Sequence, residues 1–242
     1  MTLVLAAHGS RDPRFALTAG QIADGVAQRL PDVDVRLSFL DLNAPSVADV
    51  LGGLSGQVTV VPLLLSDAFH ARVDLPAIVT AARRADAGLD VVQTAPLGAD
   101  IRLVPAALTR LHQAELRPDD GVLCAAVGST NPSANKAAHR HAERLASQLG
   151  DDRVRTVFCT DVGRRDERLH TAIAELRAGG AQRIVVSPFM IASGLLTDRL
   201  EGFLDRAALG YAVAGPLGAH AGVLSTIIER YRVGSAALLR TS

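Results

Sequence analysis

Tryptophan is absent from this chain and aromatic residues make up only 3% of it, which excludes the stacking platforms that hold single-stranded nucleic acid. Excess charge is absent too. The 25 basic residues balance 25 acidic ones, so whole-chain electrostatics favour neither nucleic acid nor an anionic membrane surface. Lysine is nearly missing, Lys136 being the only one. A positive charge carried almost wholly by arginine is first of all what a GC-rich coding bias produces, although it also suits bidentate binding of carboxylates. Cysteine is scarce: Cys124 and Cys159 sit inside apolar runs with neither a CxxC spacing nor a disulfide framework, the pattern of buried thiols in a reducing compartment. No apolar run approaches the roughly 20 residues that span a bilayer. Met1–Ala7 lacks the basic start and longer apolar stretch of a signal peptide. The expectation is a cytoplasmic protein without nucleic-acid or membrane partners.

What is present is repetition. Ala6-Ala7-His8-Gly9-Ser10, followed by Arg11-Asp12-Pro13, is echoed by Ala125-Ala126-Val127-Gly128-Ser129, followed by Thr130-Asn131-Pro132. Val61-Pro62-Leu63-Leu64-Leu65 is answered by Ser187-Pro188-Phe189-Met190-Ile191, and Ala95-Pro96-Leu97-Gly98-Ala99 by Gly215-Pro216-Leu217-Gly218-Ala219. Three anchors recur in one order at offsets near 120 residues, far longer than a solenoid period, so the 242 residues, 48% of them hydrophobic, read as two similar domains. The polar stretch Arg117-Pro118-Asp119-Asp120-Gly121 places the boundary between domains 1–118 and 119–242.

Each half alternates strand and helix. In the first, Leu3–Ala7 is a short apolar run ending at a Gly-Ser turn, as in a buried parallel strand. Phe15, Ala19, Ile22, Val26 and Leu30 then give a helical face that Pro31 stops. Strands follow at 33–40, 58–65 and 90–93, with helices after the Ala44-Pro45-Ser46 turn, from Leu75-Pro76, and over 100–116. The second half repeats the order, with strands at 122–126, 154–160, 183–190 and 211–213 and helices at 133–149, 165–178, 196–206 and 219–231. The expected fold is α/β: two flavodoxin-like (Rossmann-like) domains, each a four-stranded parallel sheet flanked by helices, with a cleft between them. Ligands bind such sheets beyond the carboxyl ends of the strands.

Two histidines stand there. His8 follows the first strand and His70 lies a few residues past the third, and in a flavodoxin-like order these strands are neighbours. A single histidine at a strand end is most often a turn or cap residue. Two at matching strand ends, replaced by Val127 and Leu196 in the sister copy, point to one active site in the first half. Imidazole binds divalent transition metals and also takes a proton near neutral pH. His139 and His141 are two apart on a helix, about 200° around its axis, and cannot clamp one metal. His112 and His170 read as helix-surface residues. His220 opens the last helix where the first half has Asp100, a lesser candidate for the cleft. A Walker loop, a GxGxxG after the first strand, a GxSxG elbow and an HEXXH helix are all missing, which removes the ATP-hydrolysis, nucleophile-elbow and zincin readings and weakens a dinucleotide one.

His8-Gly9-Ser10-Arg11, Phe39-Leu40-Asp41 before Pro45-Ser46, and Pro62-Leu63-Leu64 leading to His70 and Asp74-Leu75-Pro76 together resemble the sirohydrochlorin chelatases of the CbiX/SirB type, in their long two-domain form. Asp41 stands where that family often has Glu, and Ala68 where Gly is usual. The resemblance implies an ATP-independent lyase that places Fe2+ or Co2+ in sirohydrochlorin, in siroheme or cobalamin formation, with His8 and His70 holding the metal and assisting proton removal. It implies no cofactor beyond the substrate metal, nickel being a further metal to distinguish. It also implies a monomer whose halves form an internal pseudo-dimer. Ser10, Arg11, Arg14, Arg72 and Arg199 are the candidates for the substrate's carboxylates, and Asp74 either orients His70 or caps the helix after it. Two other readings remain open: a non-catalytic carrier of metal or tetrapyrrole, and a flavodoxin-like nucleotide-binding enzyme.

Overall fold

The computed structural model describes residues 1–66, 73–150, 153–207 and 210–241. The first half runs β1 (Thr2–Ala7), α1 (Pro13–Ala27), β2 (Asp34–Phe39), α2 (Val47–Gly52), β3 (Gly56–Leu63), α3 (Leu75–Ala85), β4 (Leu89–Gln93) and α4 (Leu103–Gln113). The second runs β5 (Asp120–Ala126), α5 (Pro132–Leu149), β6 (Val154–Phe158), a 3-10 turn (Cys159–Asp161), α6 (Asp166–Ala178), β7 (Arg183–Pro188), α7 (Leu195–Arg206), β8 (Tyr211–Val213) and α8 (Ala221–Thr241). The sheets have the orders β2-β1-β3-β4 and β6-β5-β7-β8, all pairs parallel. The doubly covered α/β fold expected from the sequence is what forms.

Central strands explain the uninterrupted apolar runs. Leu3 to Ala7 are all fully buried because helices cover both faces of β1. Val4 and Ala6 join Val58, Val60 and Val91 under Val47, Leu51, Leu75 and Val79 of α2 and α3. In the second sheet Leu123 and Ala125 of β5 meet Ile173 and Leu176 of α6 and Leu200 and Phe203 of α7. An ion pair to a buried carboxylate fixes the start of β5: Arg183, half-buried, donates to both oxygens of Asp120, at 3.0 and 2.7 Å.

Several elements differ in their bounds from the sequence reading, α4 (Leu103–Gln113 rather than 100–116) among them. α1 closes at Ala27, before Pro31, as the amides of Arg29 and Leu30 fold back onto Val26. β6 gives way after Phe158 to a 3-10 turn in which the amide of Val162 reaches the carbonyl of Cys159 at 3.3 Å. α8 continues ten residues past Tyr231. The expected boundary at 118/119 falls between α4 and β5 and parts the two sheets. The compact units, however, are residues 1–98 with 223–242, and residues 99–222. α4 therefore belongs with the second sheet, against α5 and β7, and α8 with the first. There Ser235 shares a hydrogen bond of 3.3 Å with Thr59 of β3, and Arg230 donates to the Pro96 carbonyl at 3.2 Å.

Candidate functional site

β1 pairs in register with both neighbours, Ala7 standing opposite Phe39 of β2 and Leu63 of β3. The three strands end level, so whatever follows them shares one edge. His8, half-buried, is the first residue beyond that line. Its Nδ1 lies 3.0 Å from the Gly9 carbonyl, a contact in which Nδ1 must donate, since a carbonyl only accepts. Gly9 has φ +97°, and a Cβ there would lie 1.8 Å from the Asp41 carbonyl oxygen. Glycine is required on both counts. The same approach lets the Asp41 amide donate to the His8 carbonyl at 3.0 Å, which pins the turn after β1 to the turn after β2. Ser10 completes the link: its amide donates to Asn43 Oδ1 at 2.7 Å, and its Oγ accepts the Asp12 amide at 3.0 Å. Asp12 then caps α1 through the Arg14 amide.

The second half rebuilds this turn almost bond for bond. Gly128 has φ +91°, the Thr160 amide donates to the Val127 carbonyl at 3.1 Å, Ser129 Oγ accepts the Asn131 amide at 3.1 Å, and Asn131 caps α5. What the copies share is therefore turn architecture, Ser10 included. What differs is His8 against Val127, Arg11 against Thr130 and Asp41 against Thr160. Comparing the copies residue by residue would have added Asp41 and Asn43 to the candidates taken from the sequence.

The CbiX family model matches residues 2–114 and again 121–233. The chain belongs to the CbiX family. Among curated relatives, the sirohydrochlorin cobaltochelatase of Priestia megaterium is 23% identical over 96% of this chain and 79% of its own length. The sirohydrochlorin ferrochelatase of the same organism is 25% identical over 89% and 84%. Among solved structures, the sirohydrochlorin chelatase SirB from Bacillus subtilis subspecies spizizenii in complex with cobalt superposes with a TM-score of 0.73 at 21% identity, covering 97% of this chain and 95% of that one. The resemblance drawn from the His8 and His70 motifs is thus to the family the chain belongs to.

The remaining candidates of this CbiX-family chain divide clearly. His70 and Arg72 lie outside the described residues. Among the described residues no three His, Cys, Asp or Glu side chains converge as a metal site. Arg11, three residues after His8 in the chain, is exposed. Arg14 forks onto Asp12, with Nε at 3.0 Å and a terminal nitrogen at 2.6 Å, and these bonds hold the Asp12 carboxyl below the usual carboxylate range. Asp74 precedes α3 in helical backbone geometry and its side chain makes no cap bond, so the capping alternative is not taken. Arg199 is exposed in the first half of α7.

His220 is a helix cap. Its Nδ1 accepts the Gly222 amide at 3.0 Å, as the Asp100 carboxylate accepts the Arg102 amide at 3.1 Å, and desolvation and Arg110 lower its pKa, in keeping with a neutral ring. His112, His139 and His170 are exposed. His141 is not: it is 1% exposed and stacked on Phe189 with ring centroids 4.2 Å apart. Neither of its ring nitrogens has a hydrogen-bond partner among the described residues. Burial, with a smaller push from Arg144, drives its pKa down to about 4. Cys124 and Cys159 are free and buried, and burial pushes both thiols up to about 12, so they are inert at neutral pH. Among the described residues no helix is long and apolar enough to cross a membrane.

Proposed function

We propose that this chain inserts a divalent metal, Fe2+ or Co2+, into sirohydrochlorin without ATP, as a lyase of siroheme or cobalamin formation. The observation that carries the reading is the single histidine, His8, at the carboxyl end of the central strand in one copy of a duplicated turn, in a chain whose family relatives bear the names of sirohydrochlorin chelatases.

The chemistry needs two things of the protein: a ligand that replaces water on the incoming metal, and an acceptor for the two pyrrole N–H protons that the metal displaces. His8 suits the first because its Nδ1 is committed to the Gly9 carbonyl, which leaves Nε2 as the nitrogen assigned to the metal. His70 is assigned as its partner for metal and protons, from its place in the sequence. Each exchange balances: one divalent cation enters the macrocycle, two protons leave, and no electron or phosphoryl group moves. That balance calls for no nucleotide and no resident cofactor. Arg11, exposed three residues after His8 in the chain, is the first candidate for a substrate carboxylate. Arg14 is weaker, since Asp12 already holds its guanidinium.

The test is anaerobic absorbance spectroscopy of the purified protein with sirohydrochlorin and either Fe2+ or Co2+, ATP absent. Wild type should outpace the uncatalysed reaction with at least one metal, and His8→Ala and His70→Ala should fall towards background. Tetrapyrrole binding without any acceleration would replace the enzyme reading by that of a carrier.

A further inference from the structure

The turn that His8 leans on contains an oddity confined to the copy with the histidine. Leu42 has φ +64°, and the amide of Asn43 closes back on the Asp41 carbonyl at 2.8 Å. A bond from residue i+2 to residue i around a positive-φ centre is a γ-turn of the rare, strained hand, and leucine is among the residues that rarely adopt such a backbone. Neighbours hold it there: Asp41 Oδ1 accepts the Leu42 amide at 2.8 Å, Asn43 Oδ1 accepts from Ser10, and Gly9 presses on the Asp41 carbonyl. Glu115, the other non-glycine residue with positive φ (+55°) among the described residues, has a local reason. It ends α4 in a paired C-terminal cap, with Glu115 N–H bonded to His112 O and Leu116 N–H to Leu111 O.

Leu42 has no such reason. Its backbone would relax with glycine or asparagine, and its side chain is 49% exposed, so core packing does not select leucine either. In the sister loop the left-handed position falls on Gly163, and Asp161, counted equally far from the shared turn, sits in the 3-10 segment. Strain that local structure does not repay gathers at functional sites.

We propose that Leu42 is a substrate-contact residue: the turn holds its side chain out beside His8, against the flat apolar face of the tetrapyrrole, and so fixes where the macrocycle lies relative to the metal-bearing imidazole. The inference rests on the chelatase reading above. A tetrapyrrole has carboxylates at its rim and an apolar face at its centre, so a leucine next to a metal ligand meets the face while arginines meet the rim.

Titration of metal-free sirohydrochlorin into wild type, Leu42→Gly, Leu42→Asn and Leu42→Met, with the melting temperature of each, tests it. Glycine and asparagine should leave the melting temperature equal or higher, because they relieve the turn, yet weaken binding roughly tenfold. Methionine should bind within about twofold of wild type, since it restores the apolar contact. Wild-type binding matched by the glycine and asparagine variants would overturn the assignment of Leu42 and leave the chelatase intact. A clear fall in their melting temperature would overturn it too, by making Leu42 a packing residue. A wild type that binds no sirohydrochlorin would remove the chelatase reading and this inference together.

Discussion

At the scale of single residues, backbone geometry carries as much of the site as side-chain chemistry. Gly9 and Gly56 both have positive φ, +97° and +71°. Of the two, only Gly9 has a neighbour in the way of a Cβ, the Asp41 oxygen at 1.8 Å, whereas a Cβ on Gly56 would meet nothing within 4 Å among the described residues. Gly56→Ala should therefore cost about 1 kcal/mol of unfolding free energy, for the φ alone. Gly9→Ala should cost about 3 kcal/mol or more and also misplace His8; urea denaturation of the two variants checks the difference. His141 supplies a pH dependence. Its ring titrates near 6.5 when unfolded and at about 4 when folded, so between these values the unfolded chain takes up a proton that the folded chain refuses. Its effect on stability is nil above about pH 6.5, grows by up to about 1.4 kcal/mol per unit as the pH falls towards 4, and levels off below that. Because carboxylates also titrate, the quantity to measure is the stability of wild type minus that of His141→Phe. It should drop by about 3 kcal/mol between pH 7 and 4, and a difference that stays flat with pH would show that His141 finds a proton partner in the fold.

Among the elements, the last helix of each half is where sequence and packing part. Gly234 of α8 lies so close to the first sheet that a Cβ would meet Thr59 Cγ2 at 2.5 Å and Thr94 Cγ2 at 2.8 Å. Gly234→Leu should destabilise by about 2 kcal/mol or more through overpacking. In hydrogen exchange, β3 and β4 should lose protection while β5 and β7 keep theirs; loss confined to β5 and β7 would contradict the assignment of α8 to the first unit. A repeat in the sequence says which segments descend from the same pattern, not which sheet a helix covers, so this exchange was not legible. Strand order, the fully buried central strands and the matched carboxyl edge were legible, because apolar runs between Gly-Ser turns and alternating helices admit few topologies. His141 was legible in principle: Ala134, Ala138, Ala142 and Leu145 mark the buried stripe of α5, and position 141 falls on it. The strain at Leu42 was not, since leucine carries no signal for positive φ and the turn depends on Gly9 and Ser10, more than thirty residues away. The capping of α8 by His220 sat between these cases, visible only once its alignment with Asp100 is treated as an alignment of roles.

At the scale of the whole molecule, two sheets of one topology share a turn architecture and differ in chemistry. Gly128, Ser129 and Asn131 repeat the bonds of Gly9, Ser10 and Asp12, so the second copy is a built-in control for what the fold alone provides. Because metal insertion is assigned to one edge only, Fe2+ and Co2+ should compete there, and the same variants should lose both activities. The decisive measurement is the initial rate of metal insertion for wild type and for the matched pair His8→Ala and Val127→Ala, anaerobically and without ATP. His8→Ala should lose about 100-fold or more, with Val127→Ala within about threefold of wild type. A His8→Ala protein as fast as wild type, or equal losses in the two variants, would contradict the assignment of the chemistry to the first copy.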